Sequence, residues 1–260
     1  MANFNVDNLI INRAIRGTMF KTDGSIAFSM DEIKDPTLEC TGEAADVTNA
    51  LGTVVASFDR SKDAKLTGSN AFVHLGLAAA QFGTEKNIGS ETNKLISPAC
   101  DVLTVADGKV TLNKIPTSGS VDYVYTMAND GTILEPYSLV AAAPADKQFT
   151  LVDQVVTFAD NTLDGNLVIV FYETETAKGV EIINSSTAFA EAGNFMLEVL
   201  FADYCNTEIE YHGFIVFPNA KMDNNVTINF NNEADHGFSV KAMQDNCAVN
   251  KALFKIIASE

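Results

Sequence analysis

The 260-residue sequence lacks tryptophan and contains few of the residues that bind metal ions, since it has four cysteines and three histidines. The cysteines are 60, 105 and 42 residues apart and form no CxxC pair, which argues against a structural zinc site. In a reducing compartment such cysteines pack as small hydrophobic side chains. We therefore expect four buried thiols, at Cys40, Cys100, Cys205 and Cys247.

Basic residues are scarce as well, because 17 Lys and Arg stand against 34 Asp and Glu and leave a net charge of −17. A protein that grips nucleic acid neutralises phosphates with basic side chains, so this excess argues against such a surface. It disfavours an anionic membrane surface for the same reason.

Long apolar runs are also missing. Nearly uncharged stretches such as residues 71–83 and 166–172 fall short of the ~18 apolar residues that a membrane span requires. Arg13 and Arg16 interrupt the apolar run near the start, so that segment does not match a signal peptide. We expect a soluble protein with no membrane partner.

The motifs of the common enzyme classes are absent too. The sequence contains no GxSxG, HExxH, GxxxxGK[ST] or EF-hand loop, and no GxGxxG after a predicted strand. It therefore predicts no catalytic residue, no cofactor and no metal ligand, and it favours a protein that is not an enzyme. A small-molecule enzyme on a β-scaffold stays an alternative, because distant residues can form an active site without a motif.

The three histidines are isolated from one another. His74 lies among apolar residues, where a packed core or interface histidine is more common than a catalytic one. His236 stands between Asp235 and Gly237, where we expect a turn rather than an acid–base pair.

One alternating stretch offers a metal-binding alternative. Glu208, Glu210 and His212 would share one face of a strand, and carboxylates with an imidazole can ligate a metal ion. Such residues more often form a solvated strand face, which is what we expect here.

Short runs of β-branched and aromatic residues between Gly, Asp, Asn and Pro are abundant, and they indicate an all-β protein. The residues of Val226–Phe230 alternate strictly, so we expect a half-buried antiparallel strand there. The predicted strands are Ser25–Met30, Thr53–Phe58, Lys109–Asn113, Val121–Met127, Asn166–Tyr172, Glu208–Phe217, Val226–Phe230, Phe238–Ala242 and Ala252–Ile257.

One segment has helical spacing instead. From a candidate N-cap at Ser69 to a candidate C-cap at Gly83, apolar residues recur at steps of three and four. The predicted buried stripe consists of Phe72, Leu75, Ala79 and Phe82. We expect a single amphipathic helix packed on a sheet.

Residues 101–176 carry 11 acidic and 3 basic side chains, a net charge of −8 in 76 residues. Turn signals separate short strands in this segment at spacings common in β-sandwiches. We predict a small β-sandwich, residues 101–176, inserted into a β domain formed by residues 1–100 and 177–260. Its closing runs, Val155–Phe158 and Leu163–Tyr172, resemble the last two strands of immunoglobulin-like modules in viral structural proteins.

The flanking parts resemble the tail tube (major tail) proteins of tailed bacteriophages in the order and residue pattern of five stretches. These are Gly17–Ser25, Glu43–Arg60, Lys65–Gly68, Phe238–Cys247 and Leu253–Ile257. The resemblance implies an all-β fold, mainly an antiparallel sandwich or barrel of two sheets flanked by one helix.

The resemblance also implies a virion structural protein that forms six-membered rings, which stack into the tail tube and conduct DNA during ejection. Its implied partners are its own copies and virion proteins such as tail sheath, tape-measure or tail-terminator proteins. Its implied location is the virion tail, assembled in the cytoplasm of the bacterial host. A capsid-associated or decoration protein of a tailed phage is the alternative.

A channel for DNA should repel phosphate, so the resemblance implies an acidic lining and DNA as a cargo that does not stick. The inserted segment would lie on the exterior of the tube. The candidate lining is therefore the polar face of Glu208–His212 together with loops at Asp223 and Glu233.

Overall fold

The computed structural model describes residues 8–159, 163–204, 206–231, 235–245 and 249–259. The chain forms two compact units, unit 1 from Met1–Lys86 with Ile182–Glu260, and unit 2 from Asn87–Glu181. The protein is all-β with one α-helix, as the sequence predicts. No helix of the described residues is long and apolar enough to cross a membrane.

The elements follow one another along the chain in three groups. Unit 1 begins with β1 (Leu9–Lys21), β2 (Ile26–Met30), β3 (Ile33–Thr48), β4 (Val54–Asn70) and α1 (Leu75–Phe82). Unit 2 contains β5 (Asn87–Ile88), β6 (Leu95–Thr104), β7 (Lys109–Thr111), a 3-10 turn (Thr117–Gly119), β8 (Tyr123–Met127), β9 (Ile133–Leu139), β10 (Gln148–Val152), β11 (Val155–Phe158), β12 (Leu167–Thr176) and β13 (Val180–Glu181). Unit 1 ends with β14 (Ala192–Asp203), β15 (Glu210–Met222), β16 (Ile228–Asn229), β17 (Asp235–Ala242) and β18 (Lys255–Ser259).

The sheet of unit 1 has the strand order β2-β1-β14-β15-β17-β4-β3, and all of its neighbouring strands are antiparallel. β18 also pairs with β15, and β16 pairs with β17. The central strand β14 turns Phe195, Leu197 and Val199 into the core, where each is at most 2% exposed. The sequence analysis did not predict β14, because both of its faces are largely apolar and the alternation is weak.

The strands β3 and β4 form one long hairpin that pairs from Ile33 and Asn70 to Thr48 and Val54. In residues 33–42 and 61–70, here called the hairpin root, β4 pairs with β17 from Lys65 to Asn70 and turns Ala64 and Leu66 into the core of unit 1. Residues 47–58, here called the hairpin tip, extend past the last paired residue of β17, and nearly all are exposed. The root is therefore part of the sheet core, and the tip is not.

The helix is shorter than the sequence predicts and its buried face differs. Ser69 belongs to β4, whose pairing with β3 and β17 runs to Asn70, so α1 begins only after His74. Phe72 is 64% exposed and Leu75 is 42% exposed, so the predicted stripe was wrong at these two positions, whereas Ala79 is buried and Phe82 is partly buried. The buried residues are Gly76, Leu77, Ala78, Ala79 and Gln81.

The predicted C-cap at Gly83 is confirmed. Gly83 has a φ of 67°, and its N–H donates a hydrogen bond back to the last turn of α1. A Cβ at this position would lie 2.1 Å from the carbonyl oxygen of Phe189. Both the left-handed backbone and the close approach require glycine.

Unit 2 consists of one seven-stranded sheet in the order β6-β12-β8-β9-β10-β11-β7, and β5 pairs separately with β13. Val110 of β7 and Val168 of β12 stand near opposite ends of this order but pack in the same core, so the sheet curls around it. The unit includes all of β6, which a boundary after Cys100 would divide. β11 and β12 do not pair with each other, and the immunoglobulin-like likeness stays a prediction.

A buried carboxylate joins the two ends of this curled sheet. Asp101 on β6 accepts hydrogen bonds from the N–H and the Nδ2 of Asn113, just after β7, and from the hydroxyl of Tyr172, each at 2.8 Å. Burial alone would raise the pKa of Asp101, but these bonds outweigh it and hold that pKa below its ordinary value. Burial and the bond to Asp101 raise the pKa of Tyr172 to about 12.

Three other predictions were wrong. The stretch Val226–Phe230 contains only the two-residue β16, and Phe230 is 84% exposed. Cys40 and Cys100 are exposed rather than buried, and both lie on edge strands, β3 and β6 respectively. Cys205 and Cys247 lie outside the described residues.

Candidate assembly surfaces

The hairpin tip has one apolar face. Ala45 pairs with Phe58 and Val47 pairs with Ala56, so these four side chains lie on the same side of the two strands. Val47 is 48% exposed and Phe58 is 60% exposed, so no residue that the structure describes covers this side. A two-stranded ribbon with one bare apolar face is a surface suited to a partner.

The opposite face of the hairpin is polar. Asp46 pairs with Ser57, and Ala44 pairs with Asp59, so the two carboxylates lie on the side away from Phe58. Residues 47–58 themselves contain no charged side chain. This uncharged run is the sequence signal that could have identified the tip, because charged residues make up 20% of the chain.

A compact turn closes the tip. The side-chain oxygen of Asn49 accepts hydrogen bonds from the N–H groups of Leu51 and Thr53, each at 3.0 Å. Gly52 has a φ of 79° and donates its N–H to the carbonyl of Asn49. Leu51 is 90% exposed at the apex. The backbone groups of the turn are thus hydrogen-bonded within the turn, and the apolar side chain of Leu51 is exposed to water.

The strand β3 stands at the end of the strand order of the unit 1 sheet. One of its edges pairs with β4, and its other edge is open among the described strands. Asp35 has a φ of 48°, and the register shifts between Lys34 and Thr37, so the edge is irregular near its start. From Thr37 onward it is regular for many residues. An open strand edge presents unpaired N–H and C=O groups to another chain.

The predicted polar strand face is present only in part, because β15 begins at Glu210 and Glu208 lies in a turn before it. Glu208, Glu210 and His212 are all exposed beside the buried Tyr211. Glu210 accepts a hydrogen bond of 2.8 Å from Asn12, and the Nδ1 of His212 lies 3.7 Å from a carboxylate oxygen of Glu198. Within the described ranges, no group of three or more His, Cys, Asp or Glu side chains could hold a metal ion.

Asp223 lies in a groove of mixed charge rather than on an acidic surface. Its carboxylate is 3.7 Å from the Nζ of Lys65, and Lys241 lines the same groove. Glu39 and Asp63 supply two further carboxylates. The other predicted loop residue, Glu233, lies outside the described residues.

The histidines His74 and His236 join α1 to the sheet. His236 is fully buried in β17, where the sequence analysis expected a turn, and its Nδ1 accepts a hydrogen bond of 3.2 Å from the N–H of His74. Its Nε2 bonds Gln81 at 2.8 Å, and Gln81 donates to the carbonyl of Gly237 at 3.0 Å. The Nδ1 of His74 accepts from the N–H of Leu77 and caps the helix.

These contacts give both histidines a structural role. Because Nδ1 of His236 accepts a hydrogen bond, its Nε2 carries the proton and donates to Gln81. Burial, followed by the nearby His74, lowers the pKa of His236, although Asp235 opposes the shift. Burial, followed by Lys86, lowers the pKa of His74. Both ring nitrogens of His236 are engaged in hydrogen bonds inside the protein.

The sequence matches the model of the YomU/Tube protein family over residues 10–254, and the chain therefore belongs to this family. The match covers nearly the whole chain and includes both units. No curated protein matches the sequence.

Proposed function

We propose that this protein is a structural subunit of a phage tail tube that associates with copies of itself into stacked rings of six. Membership of the YomU/Tube protein family and the resemblance of its flanking parts to tail tube proteins support this function. The observation that carries it is the hairpin tip, whose apolar face is left exposed by the described residues of the single chain. Such a protein acts by its interfaces and not by catalysis.

The energetics of the tip favour association. Val47, Leu51, Val55 and Phe58 are each between 48% and 90% exposed. Burying a side chain of this kind contributes about 1.5–3 kcal/mol relative to leaving it in water. A few such residues supply a large part of a protein–protein interface.

The two ends of the unit 1 sheet favour a ring. β2 and β3 are its edge strands, and β3 offers a long row of backbone groups. A contact between different surfaces of neighbouring copies is heterologous, and it closes into a ring or continues as a filament. Rings of six that stack through the hairpin would give both a closed ring and an open tube.

DNA would pass through the tube without binding to it. The exposed Glu208 and Glu210 and the whole-chain charge of −17 support a lining that repels phosphate. Lys65 and Lys241 lie beside Asp223 and would attract phosphate. That groove is therefore a weaker candidate for the lining than Glu208 and Glu210. In the virion tail, sheath, tape-measure and terminator proteins would be the partners, and assembly would take place in the bacterial cytoplasm.

The test is assembly of the purified full chain. Electron microscopy and sedimentation should show rings or tubes above a threshold concentration, and class averages should show six-fold symmetry. A chain that stays monomeric but binds assembled phage capsids would instead be a decoration protein. Double-stranded DNA should not bind at low salt, where electrostatic attraction is strongest; tight binding would contradict the conduit.

A further inference from the structure

The sheet of unit 2 has a second apolar surface on its outer side. Two rows of cross-strand neighbours form it, one row from Cys100 through Phe171 to Tyr123 and the other from Val102 through Ile169 to Tyr125. These side chains point away from the core, because they alternate with the buried residues of the same strands. We call this surface the tyrosine face: Cys100, Val102, Tyr123, Tyr125, Ile169 and Phe171.

The tyrosine face is open to solvent. Val102 is 50% exposed, Tyr123 is 61% exposed and Cys100 is exposed, while the other three are partly exposed. The rings of Tyr123 and Tyr125 lie side by side with centroids 6.4 Å apart and an interplanar angle of 30°. The result is a broad surface of aromatic and aliphatic groups across three strands.

Its chemistry contrasts with the rest of the unit. Residues 87–181 contain 13 acidic and 5 basic side chains, a net charge of −8, yet the three strands bring six uncharged side chains together in the tyrosine face, and the charged Glu173 flanks it on the same side of β12. An antiparallel sheet that packs one face on a core normally turns a polar face to water. A contiguous apolar outer face therefore indicates a partner.

We infer that the tyrosine face receives the apolar face of the hairpin tip from a second copy of the chain. This inference rests on the proposed self-assembly. The tip is two strands wide and its uncharged side presents Val47 and Phe58, so it fits within the three-stranded face. The tip would contribute no charged side chain to the contact, because Asp46 and Asp59 point away. Two sheet faces would then pack about 10 Å apart.

The size of the contact fits a repeating assembly. Two short strands cover much less than the ~800 Å² per partner that a stable isolated dimer buries. Two free copies would therefore bind weakly through this contact. Each copy has one tip and one tyrosine face, so the contact is heterologous and every added copy can make two of them. Copies already held in a ring would bind through it at a high effective concentration.

Four Val→Glu variants test the contact in the full chain. V47E and V102E place a carboxylate in the proposed interface, on the tip and on the tyrosine face respectively. V54E, on the polar side of the same tip, and V152E, elsewhere in unit 2, are matched controls, and all four positions are between 48% and 67% exposed. V47E and V102E should raise the concentration needed for assembly at least about tenfold, and the controls should not.

A cross-link tests proximity directly and uses the native Cys100. In V47C, a short bis-maleimide should join Cys100 of one copy to the introduced thiol of another, and mass spectrometry of the linked peptides identifies the pair. The link should form in the assembled protein only. V54C places its thiol on the other side of the tip and should give no such link.

The outcomes separate this inference from the proposed function. If V47E and V102E impair assembly, keep the wild-type unfolding temperature as monomers, and V47C links to Cys100, the contact is supported. If the chain assembles but V102E behaves like V152E, or Cys100 is not linked, the tip docks elsewhere and the inference is wrong although the tube function stands. A chain that never assembles overturns both.

Discussion

The root and the tip of the β3–β4 hairpin are made of the same two strands but form different kinds of surface. In the root, Ala64 and Leu66 are each 1% exposed, because β17 continues the sheet and the core of unit 1 lies beneath it. In the tip, Phe58 is 60% exposed and Leu51 is 90% exposed. The pairing of the strands is continuous, with small register shifts, from one region to the other.

The difference shows that strand pairing and side-chain burial are separate properties. Alternation of apolar and polar residues can be present along a hairpin without a second layer to cover its apolar side. In the root that layer comes from the same chain. In the tip none of the described residues supplies that layer, so the root reports on folding and, under the proposed function, the tip reports on assembly.

The largest expected effect comes from truncating matched apolar side chains in the two regions. Leu66→Ala should lower the free energy of unfolding of the monomer by about 2–5 kcal/mol, because it leaves a cavity in a packed core. Phe58→Ala should change that free energy by less than about 0.5 kcal/mol and should instead impair assembly. Chemical denaturation and sedimentation measure the two effects. Equal destabilisation of the monomer by both variants would mean that the tip is packed within the chain.

A smaller loss is expected from the buried polar contacts beside the root. Gln81→Ala would remove the hydrogen bonds of Gln81 to the Nε2 of His236 and to the carbonyl of Gly237. The buried Nε2 would be left without its partner, which should lower the free energy of unfolding by about 1–3 kcal/mol. Asn12→Ala, which removes an exposed bond to Glu210, is the control and should have little effect in the same denaturation experiment. If Gln81→Ala and Asn12→Ala had the same free energy of unfolding, the hydrogen bonds of Gln81 would not stabilise the fold.

The same network should make the folded monomer sensitive to acid. The folded-state pKa of His236 lies below its ordinary value of 6.5, so the unfolded chain binds the proton more readily. The resulting stability is present above pH 6.5 and is lost as the pH falls from there through the folded-state pKa. His236→Gln should reduce the pH dependence of the unfolding free energy between pH 8 and 5. His212→Gln removes an exposed imidazole and is the matched control; an equal reduction in both would refute the assignment.

The sequence predicted the fold class and the strands that have clear turns beside them. Thr53–Phe58 is confirmed within β4, and Gly83 ends α1 as expected, because turn and cap residues act locally. β14 was not predicted, because it lies in the centre of the sheet and few of its residues are polar. The alternation of apolar and polar residues is therefore weak. The helix start was missed because His74, not Ser69, caps it, and its tertiary contact with His236 is invisible along the chain.

The assembly surfaces were only partly predictable. The uncharged run of residues 47–58 can be read from the sequence, but its exposure depends on where the neighbouring strand β17 ends. The outer apolar face of unit 2 was hidden for a similar reason. Tyr123 and Phe171 are far apart in the chain, and only the strand pairing brings them together. Long-range pairing is the information that a local pattern lacks.

The smallest expected effect tests whether the tip unfolds independently of the root. Gly52 has a φ of 79° and no atom would contact an added Cβ, so Gly52→Ala strains the backbone by about 1 kcal/mol without a clash. Opening the tip breaks few core contacts, so this strain should stay local.

Hydrogen exchange should therefore show the Asn49 and Thr53 amides exchanging about fivefold faster, while the global unfolding free energy stays within experimental error. A global loss of the full ~1 kcal/mol would show instead that tip and root unfold together. The tip would then be a cooperative part of the unit 1 fold, and its exposed apolar face could no longer be assigned to assembly alone.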